Sequence, residues 1–232
     1  MQGVESVRAD LRHKLAVEEF VVDKSGVRAV EVVGESFLAD EPTIFGGVDV
    51  GYVRRELEWY LSQSLNVNDI PGKVPEIWKQ VATPDGRVNS NYGYLAFSSS
   101  NGDQFTNVVK ELLRNPWSRR AVMIYTRPSM HSEYDRDGMS DFVCTNAVQY
   151  LYRDGRLSAV VQMRSNDAVL GYKNDFFWQS WLLDQLVDQL NRAGAAFPIP
   201  VRLERGDIIW NAGSLHVYER HFKLMGVDAK WL

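Results

Sequence analysis

The stretch DFVCTNAVQYLYRDGRLSAVVQMRS, residues 141–165, predicts a β-hairpin. Two runs rich in β-branched and aromatic residues, 141–153 and 157–165, flank Asp154-Gly155, a dipeptide that favours the tight turn between antiparallel strands. The same composition predicts further strands outside the hairpin, at residues 20–22, 27–33, 121–126 and 202–210. We therefore expect a sheet of largely antiparallel strands.

Helices are predicted where apolar residues recur at helical spacing. Four segments show this pattern: residues 7–19, 49–64, 104–113 and 175–191. The last has a wide apolar face and should be the core helix. Residues 70–101 are rich in Gly, Pro, Asn and Ser and predict an ordered loop. Together the elements predict an α+β fold, and residues 1–232 a single domain, since no shift in composition marks a boundary.

Composition excludes several classes of protein. Hydrophobic residues make up 45% and charged residues 24% of the 232 residues, which is typical of a globular domain and not of a disordered chain. The net charge of −4 argues against nucleic acid as the partner. A single cysteine cannot form an internal disulfide, and neither a signal sequence nor a membrane span is evident. We expect a soluble, cytoplasmic protein.

Glu56 has an unusual position in the predicted helix 49–64. The apolar arc centred on Leu57 runs from Leu61 to Trp59 and encloses Glu56, whereas Glu58 lies outside the arc. A carboxylate embedded in an apolar face is partly desolvated. It is therefore expected either to be paired or to serve a function.

Cys144 is a candidate nucleophile, although a lone cysteine is more often a buried and inert residue. On an extended strand Cys144 shares a face with Phe142, Asn146 and Val148, so its surroundings are not uniformly apolar. Formation of a thiolate on a strand needs a nearby cation. Arg164, on the second strand of the hairpin, is the expected one.

Two further clusters could bind a substrate. Ser118-Arg119-Arg120 and Arg164-Ser165 provide enough donors to hold one phosphate monoester, although surface salt bridges are the commoner role of such arginines.

His216 and Tyr218 share a face of an extended segment and could bind one sugar hydroxyl. The alternative for His216 is a core histidine whose ring is satisfied by local hydrogen bonds. The four histidines and one cysteine show no zinc-ligand spacing, so no metal is expected.

Read together, these segments resemble the thymidylate synthase family over nearly the whole chain. The matching pieces are residues 55–61, Ile77-Trp78, Asn91-Tyr92-Gly93, Asp103-Gln104, residues 116–120, Cys144, residues 164–167, Leu170-Gly171 and His216-Val217-Tyr218. Within the family, residues 20–24, 39–42, 125–130, 137–141 and 213–218 are most similar to a bacteriophage branch that acts on deoxycytidylate (dCMP). The resemblance implies a thymidylate synthase-like fold with helices covering the sheet, and a homodimer joined through that sheet.

The resemblance also implies roles for individual residues. It implies that Cys144 adds to C6 of the pyrimidine and that Glu56, Asp175 and His216 are catalytic. The implied substrate ligands are Lys24, Arg119, Arg120, Arg164, Ser165, Asn166 and Tyr218, with Arg119 and Arg120 reaching the phosphate bound by the other subunit. The implied folate contacts are Trp78, Asp167, Leu170 and Gly171, and no metal is implied.

Asp175 is the position that indicates the base. Family members that take deoxyuridylate (dUMP) carry Asn there, and an amide matches the N3–H donor and O4 acceptor of uracil. Cytosine offers an unprotonated N3 and a 4-amino donor. A carboxylate accepts from the amino group and favours a proton on N3. Attack of sulfur at C6 pushes electrons toward N3, and a protonated N3 receives them. Asp175 should therefore select cytosine and also lower the barrier to the attack.

The implied reaction transfers the one-carbon unit of 5,10-methylenetetrahydrofolate to C5 of dCMP through a covalent Cys144–C6 adduct. Two outcomes remain open at this point. Addition of water gives 5-hydroxymethyl-dCMP for modified phage DNA, made in the host cytoplasm, whereas hydride transfer gives 5-methyl-dCMP and dihydrofolate. A third hypothesis is a catalytically silent nucleotide-binding homologue. The presence of Cys144 and Glu56 argues against it.

Overall fold

A mixed sheet of seven strands runs through the computed structural model, which describes residues 1–23, 26–194 and 202–227. The strands are β1 (Val21–Val22), β2 (Arg28–Leu38), β3 (Val122–Ile124), β4 (Thr145–Arg153), β5 (Arg156–Met163), β6 (Asn166–Asp167) and β7 (Glu204–Tyr218). Their order is β1-β2-β7-β5-β4-β3, and β6 pairs with β7. β5 and β6 run parallel to β7, whereas the other pairs are antiparallel. The α+β prediction is confirmed.

The hairpin that the sequence predicts is formed by β4 and β5. Arg153 pairs with Arg156, so Asp154 and Gly155 alone make the turn. Their φ angles are +49° and +82°, the left-handed values that a two-residue hairpin turn of this type requires at both positions. The Asp-Gly dipeptide therefore explains both the position of the turn and the register of the two strands.

Helices cover the sheet. Within the described residues they are α1 (Val4–Ala16), α2 (Val50–Ser62), α3 (Glu76–Val81), α4 (Tyr92–Phe97), α5 (Gln104–Arg114), α6 (Met130–Glu133) and α7 (Gly171–Arg192). The four helices predicted from periodicity correspond to α1, α2, α5 and α7. The prediction of α7 as the core helix is confirmed, because Trp178, Leu182, Leu186 and Leu190 on one of its faces are buried. No helix of the described chain is long and apolar enough to cross a membrane.

The prediction that residues 70–101 form a loop is wrong, because the segment contains α3 and α4. Each helix has six residues, too few for an apolar period to show in the sequence. Asn91 begins α4 by accepting a hydrogen bond from the backbone N–H of Tyr94 through its side chain. Burial of Tyr92 and Leu95 then holds this short helix in place.

The arrangement of α2 agrees with its sequence pattern except at one end. Glu56 is buried and Glu58 is exposed, as predicted. Leu61 was placed in the apolar arc, but 45% of its surface is exposed. The helix ends at Ser62, one residue later, and Leu61 and Ser62 face solvent, whereas Trp59 and Tyr60 of the same turn are buried.

The expected sharing of a strand face by Cys144 and Val148 is also wrong. Thr145 pairs with Met163, but Ala147 pairs with Gln162, so β4 contains one extra residue between them. Such a β-bulge reverses the alternation of faces along the strand. Thr145 and Val148 therefore both point into the core. Cys144 lies just before the strand and is only half-buried.

Candidate active site

Four segments of the chain place titratable side chains around one point of the fold. Cys144 comes from the segment before β4, Glu56 from α2, Asp175 from the first turns of α7, and His216 from β7. Electrostatic interactions link these groups: Glu56 acts on Asp175, and Asp175 acts on Cys144. Asn166, on β6, contacts Asp175 directly. The structure thus brings Cys144, Glu56 and Asp175 together, and His216 is linked to them through Tyr218, whose ring it contacts and which interacts electrostatically with Cys144.

Cys144 lies against the cation that the sequence predicted for it. Nη2 of Arg164 is 3.6 Å from Sγ of Cys144. Burial raises the pKa of the Cys144 thiol to about 11, and the positive charge of Arg164 opposes that rise. The guanidinium is therefore the group here that favours the thiolate form of Cys144.

Asp175 is held by an amide. Nδ2 of Asn166 donates a hydrogen bond of 2.8 Å to Oδ2 of Asp175. Burial raises the pKa of Asp175 to about 8, with a further rise from the negative charge of Glu56, whereas hydrogen bonds from Asn166 and Tyr92 act in the opposite direction. Near neutral pH this side chain can therefore both carry a proton and release it.

Glu56 is the acceptor in a short chain of hydrogen bonds. The hydroxyl of Tyr52 donates to Oε1 of Glu56, and Nε1 of Trp78 donates to that hydroxyl over 2.9 Å. Burial raises the pKa of Glu56 to about 7, against the effect of hydrogen bonds from Tyr52 and Trp78. A carboxyl with such a pKa suits proton transfer at neutral pH.

His216 and Tyr218 lie together near the end of β7. Their ring centroids are 4.8 Å apart, in an edge-to-face arrangement. Nδ1 of His216 is 3.2 Å from Oγ of Ser214, which itself donates to Glu31. Burial lowers the pKa of His216 although Asp167 and Glu31 oppose the change, so the neutral ring is favoured. A neutral imidazole can both donate and accept a hydrogen bond.

Three of the residues implied as folate contacts, Asp167, Leu170 and Gly171, lie at the start of α7, and the fourth, Trp78, lies on α3. Oδ1 of Asp167 accepts from the backbone N–H groups of Val169 and Leu170, at 2.7 and 3.2 Å, and so shapes the turn into the helix. The side chain of Leu170 is 45% exposed. Gly171 lies against Asn166 and Asp175, and Trp78 is half-buried on α3. Leu170 and Trp78 therefore leave apolar surface uncovered, and Gly171 lies next to Asp175.

A cavity of about 130 Å³ lies between α2 and α7. Its polar lining residues are Glu56, Tyr60 and Asn174, and its walls are otherwise apolar: Val53, Leu57, Phe177, Trp178 and Trp181. Aromatic walls with a few polar groups at one end are typical of sites for flat organic molecules. Among the residues described, no group of three or more His, Cys, Asp or Glu side chains could hold a metal ion.

The predicted phosphate ligands are divided between two places. Arg164 and Ser165 follow β5, beside Cys144. Arg119 and Arg120 precede β3 and are exposed, and the carbonyl of Arg119 accepts from Gln149, which lies five residues beyond Cys144, or roughly 16 Å along an extended strand. Within one chain they do not reach Cys144.

Arg119 and Arg120 do not form an isolated phosphate site, because the carboxylate of Glu111 lies among their neighbours. Nε of Arg120 donates to Glu111 over 3.0 Å, and the hydroxyl of Ser118 is bound to the same carboxylate. Ser118 therefore positions this carboxylate instead of offering a free donor. Lys24, also predicted to bind the substrate, lies outside the described residues.

Two residues of the site were not singled out from the sequence. Tyr52 lies one helical turn before Glu56, and this i, i+4 spacing was the available signal. Tyr92 is buried and hydrogen-bonds both Asp175 and Thr145, but it belongs to a helix that periodicity does not reveal. Both tyrosines donate hydrogen bonds to carboxyl groups that are predicted to be catalytic.

Comparison with known proteins shows the family of the chain. A family model described as Thymidylate synthase matches residues 47–230. The deoxycytidylate 5-hydroxymethyltransferases of Enterobacteria phages T4 and T2 are each 54% identical to the chain over 228 residues, covering 98% of this chain and 90% of the relative. A thymidylate synthase of Francisella tularensis subsp. holarctica is 27% identical over 186 residues, covering 76% of this chain and 64% of that relative. From the match over most of its length and from these relatives, the chain belongs to the thymidylate synthase family.

Proposed function

We propose that the chain, acting as one catalytic domain over residues 1–232, transfers the one-carbon unit of 5,10-methylenetetrahydrofolate to C5 of dCMP and adds water to it, giving 5-hydroxymethyl-dCMP. The observation that carries the proposal is the contact of Cys144 with Arg164 beside an acidic side chain, Asp175, at the position expected to face the base. The names of relatives that are 54% identical support the same substrate and the same outcome.

Cys144 begins the reaction. Its thiolate adds to C6 of the pyrimidine, forming the S–C6 bond, and the electron pair of the C5–C6 double bond moves toward C4 and N3. Arg164, 3.6 Å from the sulfur, stabilises the thiolate before the attack. With its remaining donors and the neighbouring Ser165, Arg164 is placed to hold the phosphate of the same nucleotide.

Asp175 supplies the proton that this step needs. A protonated Asp175 donates to the unprotonated N3 of cytosine and accepts from the 4-amino group. As electrons reach N3, the proton passes from the carboxyl to the ring, which leaves a carboxylate beside an N–H. The pKa of about 8 means that the acid holds this proton near neutrality. The interaction strengthens as charge develops, so it lowers the barrier and not only the dissociation constant.

The co-substrate is expected at the start of α7 and at the cavity between α2 and α7. Uncovered apolar surface at Leu170 and Trp78 and the aromatic walls of the cavity suit a flat fused ring and the benzoyl group attached to it. We assign Trp78, Asp167, Leu170 and Gly171 to its binding. When bound, methylenetetrahydrofolate supplies the one-carbon unit that joins C5.

Glu56 directs the second half of the reaction. Once the one-carbon unit is on C5, a base removes the C5 proton, and the electron pair left on C5 forms a double bond to the transferred carbon while the C–N bond to tetrahydrofolate breaks. Tetrahydrofolate leaves, and the pyrimidine carries an exocyclic methylene group. Water held by Glu56 attacks that carbon, and its proton passes to the carboxylate, whose pKa of about 7 suits the transfer. The electron pair moves into the ring and then expels the Cys144 thiolate from C6, which restores the aromatic base. His216 and Tyr218 are placed to hold the deoxyribose.

We also propose a homodimer in which Arg119 and Arg120 bind the phosphate in the partner's site. Both arginines are exposed and distant from Cys144 in their own chain, so they are available to another subunit. An enzyme of this kind from a phage would act in the host cytoplasm and supply a modified nucleotide for phage DNA.

The test is to incubate the protein with dCMP and methylenetetrahydrofolate and to identify the products by mass spectrometry. We expect 5-hydroxymethyl-dCMP and tetrahydrofolate. If 5-methyl-dCMP appeared together with the absorbance of dihydrofolate, the reaction would end in hydride transfer and not in the addition of water. If dCMP labelled with tritium at C5 released no tritium, the proposed catalysis would be excluded. The hypothesis of a catalytically silent nucleotide-binding protein would then stand.

A further inference from the structure

Asn166 is a buried amide whose nitrogen donates a hydrogen bond and whose carbonyl oxygen accepts none from the part of the chain that the structure describes. Only 2% of its surface is exposed, and its Nδ2 donates to Oδ2 of Asp175 over 2.8 Å. Its Oδ1 is buried and has no hydrogen-bond partner among the described residues. A buried carbonyl without a donor is unfavourable, because the oxygen has lost its hydrogen bonds to water and gained none in their place. Such an atom, next to an acid expected to face the base, indicates that its donor arrives with the substrate.

The backbone holds this amide in a fixed position. Asn166 pairs with Leu215 in the short parallel contact between β6 and β7, which anchors its backbone to the sheet, and its side chain is held by the hydrogen bond to Asp175. A Cβ atom at Gly171 would lie 3.3 Å from Nδ2 of Asn166 and 3.8 Å from Oδ2 of Asp175. Glycine at 171 therefore leaves room for the amide and the carboxyl to meet. Asn166, Gly171 and Asp175 therefore pack against one another.

We propose that Asn166 determines base specificity by fixing the proton of Asp175 on Oδ1, so that the acid offers a donor and an acceptor in the order that cytosine requires. The proposal rests on the proposed function and names a positioning residue for it. The N–H of Asn166 points at Oδ2, and a hydroxyl oxygen is a poorer acceptor than a carbonyl oxygen. The proton is therefore disfavoured on Oδ2 and favoured on Oδ1.

The position of that proton matters because a neutral carboxyl group by itself matches both pyrimidines. With the proton on one oxygen it donates to N3 of cytosine and accepts from the 4-amino group. With the proton on the other oxygen it accepts from N3–H of uracil and donates to O4. An acid free to exchange these two forms would discriminate weakly. The hydrogen bond from Asn166 removes the form that suits uracil.

The free carbonyl of Asn166 strengthens the same choice. The 4-amino group of cytosine has two N–H bonds, one for Oδ2 of Asp175 and one for Oδ1 of Asn166. Uracil presents an oxygen at that position, which would face the carbonyl oxygen without a hydrogen between them. The buried Oδ1 of Asn166 therefore gains a hydrogen-bond donor only when cytosine is bound.

The experiment compares tritium release from C5 of labelled dCMP and dUMP, in the presence of methylenetetrahydrofolate, for the full-length protein and three variants. Asn166→Ala removes the amide, and Asn166→Leu removes it while keeping its shape. Asn211→Ala is the control, since Asn211 is a half-buried amide on β7 that donates to the carbonyl of Val161. We expect both Asn166 variants to lower the ratio of kcat/KM for dCMP to that for dUMP at least tenfold, and Asn211→Ala to leave it unchanged.

Several results would overturn the inference. An unchanged dCMP to dUMP ratio, or an equal loss with both nucleotides, would show that Asn166 is only structural. In an Asp175→Asn background no proton remains to be fixed, and only the contact of the Asn166 carbonyl with the 4-amino group is left to discriminate. Adding Asn166→Ala there should therefore change the ratio less than it does in the unmodified protein, and an equal or larger change would contradict the proposal. Failure of the proposed function is distinct, because the unmodified protein would then release no tritium from either nucleotide.

Discussion

Nη2 of Arg164 lies 3.6 Å from Sγ of Cys144, while Nε of the same arginine donates to the carbonyl of Val143 over 2.9 Å. The backbone N–H of Arg164 also donates to the carbonyl of Cys144, so the two residues are joined through main chain and side chain. The guanidinium therefore keeps its place beside the sulfur without a substrate. It provides a positive charge that acts against the effect of burial on the thiol.

Replacement of Arg164 by Gln should make Cys144 less reactive. Loss of the positive charge raises the thiol pKa further above about 11, so less thiolate is present at any given pH. We expect iodoacetamide to alkylate the variant several-fold more slowly at pH 9, with the midpoint of the rate profile moved to higher pH. Arg192→Gln, an exposed arginine at the end of α7, is the control. An unchanged rate would mean that Arg164 acts only on the phosphate.

Cys144→Ser should abolish turnover and spare binding. A serine hydroxyl is a far weaker nucleophile than a thiolate, and its change in volume at a half-buried position is small. We expect tritium release from C5 of dCMP to fall by roughly 10³-fold or more. The dissociation constant of dCMP, measured by calorimetry, should stay within about threefold, since Cys144 contributes little to ground-state binding. Residual turnover near the original rate would exclude Cys144 as the nucleophile.

Asp175→Asn should reverse the choice of base. The amide offers an acceptor to N3–H and a donor to O4, which matches uracil and leaves N3 of cytosine without a proton donor in the required place. We expect the ratio of kcat/KM for dCMP to that for dUMP to fall on the order of 100-fold or more. Steady-state rates with both nucleotides measure the change. A preference that stayed with dCMP would count against our assignment of Asp175 to the base.

Glu56→Gln should make stability less dependent on pH. The carboxyl has a pKa of about 7 in the folded protein and 4.5 as its ordinary value, so the unfolded chain releases this proton first. The native state therefore loses stability as pH rises from about 4.5 to about 7, by at most roughly 3 kcal/mol. The variant lacks this loss, and relative to the unmodified protein it should be more stable at pH 8 than at pH 4.5.

Urea unfolding at the two pH values measures this difference. Glu58→Gln is a matched control, because Glu58 is an exposed glutamate on the same helix. The control should differ from the unmodified protein by a similar small amount at both pH values. If Glu56→Gln behaved in the same way, Glu56 would not be the group whose proton couples to folding.

Arg120→Ala should be complemented by Cys144→Ser in mixed dimers. Each variant alone is expected to be weakly active, the first because it binds the partner's phosphate poorly and the second because it lacks the nucleophile. A mixed dimer contains one site with an intact Cys144 and an intact arginine from the other chain. We therefore expect mixing and refolding of the two variants to restore about a quarter of the activity per total chain.

The control for complementation is Arg192→Ala, which should be active alone and should give no gain beyond dilution when mixed with Cys144→Ser. Persistent inactivity of the Arg120 and Cys144 mixture, with dimers present by size-exclusion chromatography, would show that the arginines do not cross between subunits.

Several features of the site were predictable because they depend on neighbours in the chain. The buried position of Glu56 and the exposed position of Glu58 follow from helical periodicity alone. The contact of Cys144 with Arg164 follows from a hairpin whose turn the Asp154-Gly155 dipeptide places. These patterns, with the family resemblance, also led to the α+β fold and to the residues that meet around Cys144.

The face that Cys144 presents was not predictable, because the β-bulge before Ala147 depends on how β4 packs against β5. The role of Tyr92 was hidden in a helix of six residues, which tertiary contacts stabilise and no sequence period marks.

By itself the sequence predicted most of the strands and the long helices, since local patterns carry that information, and its family resemblance led to the candidate reactive residues and to the acid at 175. Only the tertiary structure decided that Asn166 donates a hydrogen bond to Asp175. The same is true of the Tyr52 hydroxyl, which donates to Glu56 and accepts from Trp78. Hydrogen-bond direction and desolvation depend on atoms brought together from distant segments. The pKa values of about 7 for Glu56 and about 8 for Asp175 arise from that packing, because burial removes the water that would otherwise stabilise their charged forms.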